Sequence, residues 1–159
     1  MKYRIDAALL AGASAHRQRE VEDALLDLNT DDDGHPPLLT VGRAADGGLA
    51  LTLEHEDGAA STHELPYARL RPLNREYRDV ITRIARSDLG GFGMRDFEAL
   101  DYAKKLVHDE AGALLRKTLR PGAELPLDRA RRLFTLVFLL SSELPEEVIR
   151  THRRHGTPT

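Results

Sequence analysis

The chain has 159 residues, 41% of them hydrophobic and 31% charged, with a formal charge of −3 and no cysteine. Such a length suits one domain that buries about 70% of its unfolded surface, and the apolar content is too high for wholesale disorder. Disulfides, thiolate metal sites and cysteine nucleophiles are excluded, and no stretch nears the ~20 apolar residues of a membrane span.

Tyr3-Arg4-Ile5-Asp6 is compatible with a short N-terminal strand. Lys2 and Arg4 before an Ala-rich stretch imitate a signal peptide, but Asp6 interrupts it and the apolar part is short. The cytoplasm is therefore the expected location. Ser14 fits an N-cap for a helix over 15–28, whose Val21, Ala24, Leu25 and Leu28 recur at helical spacing. Asn29-Thr30-Asp31-Asp32-Asp33-Gly34 stops that helix, and Pro36-Pro37 delays the next element.

Three short runs follow, 38–43, 49–56 and 61–65, separated by Asp46-Gly47-Gly48 and Asp57-Gly58. Asp-Gly supplies the positive φ that tight hairpins need, so the runs read as a three-stranded antiparallel meander. Leu49, Leu51 and Leu53 alternate with Ala50, Thr52 and Glu54, giving one dry face and one wet face. From Pro66 onward the pattern turns helical. Pro72 fits the first turn of a helix to about Ser87, striped by Leu73, Tyr77, Val80, Ile81 and Ile84 and ended by Gly90-Gly91. Asp96 is placed to cap a long helix from Phe97 to about Leu119, closed by Pro121-Gly122. Pro126-Leu127-Asp128 opens another helix, in which 133–140 is apolar all round apart from Thr135. Such a segment is the buried centre of a domain as a helix, with a buried strand as the competing reading. A short helix over 143–150 and a mobile basic tail over 151–159 complete a single α+β domain of residues 1–150, its small sheet packed against a helical C-terminal half.

Charge is divided along the chain. Residues 1–66 carry five Lys/Arg and thirteen Asp/Glu (5 − 13 = −8), and residues 67–159 carry eighteen and thirteen (18 − 13 = +5). That asymmetry can orient an ionic partner, although salt-bridged helix faces would produce it too.

The most suggestive chemistry lies in Asp101-Tyr102-Ala103-Lys104-Lys105-Leu106-Val107-His108-Asp109-Glu110. At 100° per residue Lys104 and His108 share the apolar side of the helix with Phe97, Leu100, Val107, Ala111 and Leu115. A half-buried imidazole beside an ammonium and a carboxylate can hold an anion or shuttle a proton. Equally, Lys104 can lay its stem on the core while His108 satisfies a backbone carbonyl. Arg129, Arg131 and Arg132 open the following helix, where guanidinium groups suit either phosphate or carboxylates on the preceding helix, namely Asp101, Asp109 or Glu110. Catalytic candidates are thus His108, Asp101 and Glu110, and ligand contacts Lys104, Lys105, Arg131 and Arg132.

Other motifs are weaker. Asn29-x-Asp31-x-Asp33-Gly34 imitates half a calcium loop, but Pro36-Pro37 follows and Thr40 stands where the bidentate Glu belongs. His152 and His155 sit among arginines in the tail, and Gly90-Gly91-Phe92-Gly93 follows a helix, as a connector does. Aromatics are 5% of the chain with no Trp, which leaves few platforms for stacking bases, so nucleic acid is not the expected partner. No metal and no cofactor are expected.

The segment from Leu100 to Leu115, with Lys104-Lys105 and His108-Asp109-Glu110, resembles the stretch I-D-x-G-R-R-G-L-H-N-E-G-x-x-L-L of uncharacterised protein family 0262. Ala130-Arg131-Arg132-Leu133-Phe134-Thr135-Leu136 is similar to that family's T-A-R-R-L-F-T-L, and weaker similarity runs through Pro66-Tyr67-x-Arg69-Leu70 and Ile5-Asp6. The family's Arg-Arg is Lys104-Lys105 here, its Asn is Asp109, and two of its glycines are Ala103 and Leu106. Lysine lacks the bidentate fork of arginine, so an anion clamp at 104–105 would be weakened. The resemblance implies that Asp101, His108, Glu110, Arg131 and Arg132 form a coherent set, and it implies no activity. The expected function is a small protein-interaction or regulatory module that uses its basic helical half to bind another protein. The competing expectation is an enzyme or phosphate binder with His108 as acid/base and Lys104, Arg131 and Arg132 on the anion.

Overall fold

The structure, a computed structural model, describes residues 1–87 and 94–142. In chain order the elements are strand β1 (Lys2–Ile5), a 3-10 turn (Ala7–Leu10), helix α1 (Ala15–Leu28), strands β2 (Leu38–Arg43), β3 (Leu49–Glu54) and β4 (Ala60–Leu65), and helices α2 (Tyr67–Ser87), α3 (Met94–Leu119) and α4 (Leu127–Ser141). The α+β class holds. The connectors and short helix expected at 90–93 and 143–150, and the basic tail at 151–159, lie outside the described residues.

The sheet has the order β1-β2-β3-β4 and is mixed rather than purely antiparallel. The expected antiparallel β2-β3-β4 meander forms, with Val41 opposite Leu51 and Leu51 opposite His63. The N-terminal strand also forms, and it runs parallel to β2, Lys2 opposite Leu38 and Ile5 opposite Val41. Parallel neighbours need a crossover, and α1 supplies it. Gly47 and Gly58 sit at φ +89° and +83° in the two hairpin turns, as the Asp-Gly signal requires. The Asp46 carboxylate ties the first turn to the start of α2: Oδ1 accepts from Gly48 N at 2.8 Å and Oδ2 from Tyr67 N at 3.3 Å.

The sheet buries one face. Leu39, Val41, Leu49, Leu51, Leu53 and Leu65 join Val21, Tyr77, Ile81, Phe134 and Phe138 in one continuous hydrophobic cluster. Thr40, Thr52 and Thr62 form an in-register row on the opposite face, with Arg4 Nε donating to Thr40 at 3.0 Å. Residues 133–140 are helical and all buried, so the uniformly apolar stretch is the central helix, packed by α1 on one side and α3 on the other.

Two expectations about helix starts need correction. Pro72 lies inside α2, not in its first turn, because the helix already begins at Tyr67 with Arg69 and Leu70 N–H groups donating to the Pro66 carbonyl. Likewise α3 begins at Met94, so Asp96 is a helical residue rather than its cap. Ser14 does cap α1, its hydroxyl accepting from Arg17 N at 3.1 Å.

Candidate functional site

Helices α2, α3 and α4 enclose His108, one of the residues singled out at 101–110. His108 is fully buried, and its Nε2 lies 3.0 Å from the Tyr77 hydroxyl. The Tyr77 and Phe134 rings stand nearly perpendicular to the imidazole at centroid distances of 4.9 and 5.5 Å. Burial pushes the His108 pKa down to about 3, helped by the positive charges of Lys104 and Arg131 and opposed by Asp109. Nδ1 has no partner of hydrogen-bonding geometry, although the Arg131 backbone exerts a small pull in favour of the proton. The imidazole is therefore neutral at physiological pH and sealed from solvent.

Lys104, one turn earlier, is only 1% exposed, and burial lowers its pKa to about 8 against the pull of Asp101. Asp101 itself pairs outward with Lys105 at 3.1 Å, a solvent-facing i, i+4 bridge. Glu110 is exposed on the far side. Arg131 Nε donates to Asp109 Oδ1 at 2.6 Å and Nη2 reaches the same oxygen, which fastens α4 to α3. Gly112 lets those helices come close: a Cβ there would lie 3.3 Å from Leu127 Cδ1 and 3.5 Å from Ala130 Cβ.

The neighbouring arginines turn to α1. Arg129 donates to the Leu28 carbonyl at 3.0 Å and to Asp31 at 2.5 Å, serving the C-terminal end of that helix. Arg132 Nε stands 3.7 Å from Asp27, an ion pair without hydrogen-bonding contact. The side-by-side placement of α3 and α4 thus brings His108, Arg131 and Asp109 together, whereas Arg132, Asp101, Lys105 and Glu110 face elsewhere. Among the described residues, the clefts beside the 3-10 turn, between β4 and α3, and between α2 and the end of α4 are not lined by His108, Lys104, Arg131 or Arg132.

The calcium-like segment is divided in the same manner. Asn29 is engaged with β1, Asp31 with Arg129, and Asp33 with the His35 N–H, which holds its carboxyl below the usual range. Among the described residues no group of three or more His, Asp or Glu is placed to hold a metal ion.

One charged feature escaped the reading of the sequence. Helix α2 carries six arginines, at 69, 71, 75, 78, 83 and 86, against Glu76 and Asp79. Arg71, Arg75 and Arg78 recur at i, i+4 and i+7, within about 60° of helix circumference, and all three are exposed. They line a cleft of about 390 Å³ with Tyr67, Asn74, Ser141 and Ser142, and among the described residues no carboxylate enters its lining. Among the described residues none of the three makes an ion pair. The signal was present in the spacing, opposite the apolar stripe.

Comparison with known proteins adds a family without an activity. The model of "Uncharacterised protein family (UPF0262)" matches residues 1–143. A UPF0262 protein of Methylobacterium radiotolerans is 29% identical over 146 residues, covering 87% of this chain and 90% of that protein. One of Caulobacter vibrioides is 30% identical over 146 residues, covering 86% and 88%, and one of Azorhizobium caulinodans 28% over 145, covering 86% and 89%. No solved structure matches the chain.

Proposed function

The chain belongs to the uncharacterised protein family UPF0262, and we propose that it works as a non-enzymatic, cytoplasmic binding module that presents the arginine face of α2 to an acidic segment of another protein. One observation carries this reading: Arg71, Arg75 and Arg78 stand exposed on a single face without ion pairs among the described residues, while Arg129, Arg131 and Arg132 are each tied to a carboxylate. Like charges at i, i+4 cost a helix a few tenths of a kcal/mol per pair, a cost that an acidic partner would offset. The competing reading, catalysis or phosphate binding through His108, Lys104, Arg131 and Arg132, has nothing comparable in its favour. A neutral imidazole shut inside the core meets no substrate.

The test is fluorescence anisotropy with a labelled Glu/Asp-rich peptide of about a dozen residues. Binding by the wild-type protein should weaken steeply between about 50 and 300 mM salt, because both charged surfaces are exposed. The triple variant Arg71→Glu, Arg75→Glu, Arg78→Glu should lose at least tenfold in affinity at low salt with an unchanged melting temperature. Equal affinity of the two proteins overturns the reading.

A further inference from the structure

We propose that the cleft between α2 and the C-terminal end of α4 is a site for a phosphate monoester, which rests on the reading of α2 as the contact face and specifies the group it takes. Three arginines, Arg71, Arg75 and Arg78, line one cleft together with Asn74, Ser141 and Ser142. A carboxylate carries one charge and two oxygens, enough for one guanidinium fork. A phosphoryl dianion carries nearly two charges and three acceptor oxygens, and so answers several forks at once. All three cations are arginine rather than lysine, and the planar donor fork is the one that matches phosphate geometry.

The walls of the cleft are fixed. Asn74 Nδ2 donates to Ser141 Oγ at 2.9 Å, and Ser141 Oγ donates to the Val137 carbonyl at 2.6 Å, which holds α2 against the last turn of α4. The carbonyl end of a helix ordinarily repels an anion. Here Arg17, reaching across from α1, donates to the Ser142 carbonyl and sets a positive charge beside that helix end. The cleft, at about 390 Å³, has room for a phosphoryl group and a small body attached to it. That body is either a phosphorylated side chain of the partner or a small phosphorylated metabolite.

Calorimetric titration of the full chain separates these outcomes, with four probes: the acidic peptide used above, a serine-containing peptide of neutral composition, the same peptide with phosphoserine, and free O-phosphoserine. The phosphoserine peptide should bind at least tenfold more tightly than either other peptide. Replacing Arg75→Gln and Arg78→Gln together should remove that advantage, while Arg83→Gln, on another side of α2, should keep it. Competition by free O-phosphoserine at millimolar concentration assigns the site to the phosphate group itself and admits small metabolites. Its failure to compete, with the phosphopeptide preference intact, assigns the site to a protein-borne phosphate. Equal binding of acidic and phosphorylated peptides overturns the phosphate assignment and leaves the acidic-partner reading standing. Binding of no probe overturns both, and equal loss in Arg83→Gln overturns the cleft in favour of a diffuse helix charge.

Discussion

The imidazole of His108 is bonded to the phenol of Tyr77, 3.0 Å from Nε2 to hydroxyl, and the bond joins α3 to α2 through a space from which water is excluded. Both groups are held neutral there, the phenol by a pKa raised through burial and the imidazole by one lowered to about 3. Their juxtaposition braces the helices and performs no proton transfer near neutral pH. It also makes stability depend on acidity in a defined direction.

An unfolded chain takes up a proton on this histidine near its ordinary value of 6.5, and the folded chain does so only near 3. The unfolded state therefore binds more protons throughout that interval, and stability falls as pH drops from about 6.5 toward 3. The slope should approach about 1 kcal/mol per pH unit below pH 6. Urea denaturation at pH 7, 6 and 5 checks this, with His108→Gln expected to flatten the profile over that range. Parallel profiles for the two proteins would show that the imidazole is hydrated in the folded state.

Lys104 predicts the opposite limb. Its ordinary pKa of 10.5 falls to about 8 in the folded protein, so between those values the unfolded chain alone keeps the proton. Stability should rise with pH across that window, by about 1–2 kcal/mol between pH 8 and 10. Lys104→Met, similar in shape and without charge, should show no such rise in the same measurement.

Gly48 predicts a severe local effect. A Cβ at this position would lie 2.4 Å from the Leu65 carbonyl oxygen and 2.7 Å from Tyr67 N, both backbone atoms that cannot swing aside. Gly48→Ala should cost more than about 2 kcal/mol, because the end of β4 and the start of α2 must both move. Gly47→Ala, with open space around it and a φ of +89°, should cost only about 1–2 kcal/mol of backbone strain. Chemical denaturation ranks the pair, and the reverse order would mean that the hairpin end yields easily.

The α4 arginines should differ among themselves. Arg129 is 19% exposed and serves both the Leu28 carbonyl and Asp31, so Arg129→Ala should cost about 1–2 kcal/mol through lost capping and packing. Arg131 meets Asp109 where those side chains are 29% and 44% exposed, and Arg131→Ala should cost less than about 1 kcal/mol. Thermal melts at low and high salt distinguish them, since at high salt Arg129→Ala should keep the part of its cost that comes from the Leu28 carbonyl and from packing, while most of the Arg131→Ala cost should vanish.

The parts of this fold that were legible in the sequence are those with local causes. Leu49, Leu51 and Leu53 alternate and glycine sits at the turns, so the meander follows from period and φ alone. Helical spacing likewise put Lys104 and His108 on the apolar side of α3, and both are buried. The parallel pairing of β1 was not legible, because Ile5 and Val41 lie far apart in the chain and are brought side by side through the α1 crossover. Which arginine reaches which carboxylate was similarly hidden: Arg131 goes to α3 but Arg129 and Arg132 go to α1 and its C-terminal turn, a division set by where α4 lies between its neighbours. The arginine face of α2 was missed for another reason, as the apolar stripe of Leu73, Tyr77 and Ile81 is the stronger periodic signal and the arginines lie on the opposite side.

The side-chain amide of Asn29 accepts from the Tyr3 N–H at 2.8 Å and donates to the Tyr3 carbonyl at 2.9 Å, on the side of β1 away from β2. A single residue thus imitates the rung of a fifth strand and occupies one border of the sheet. At the other border no described strand follows β4. Endless stacking of copies needs two reactive margins on every molecule, and here one is already plugged. A copy adding its own strand beside β1 would first have to displace that amide.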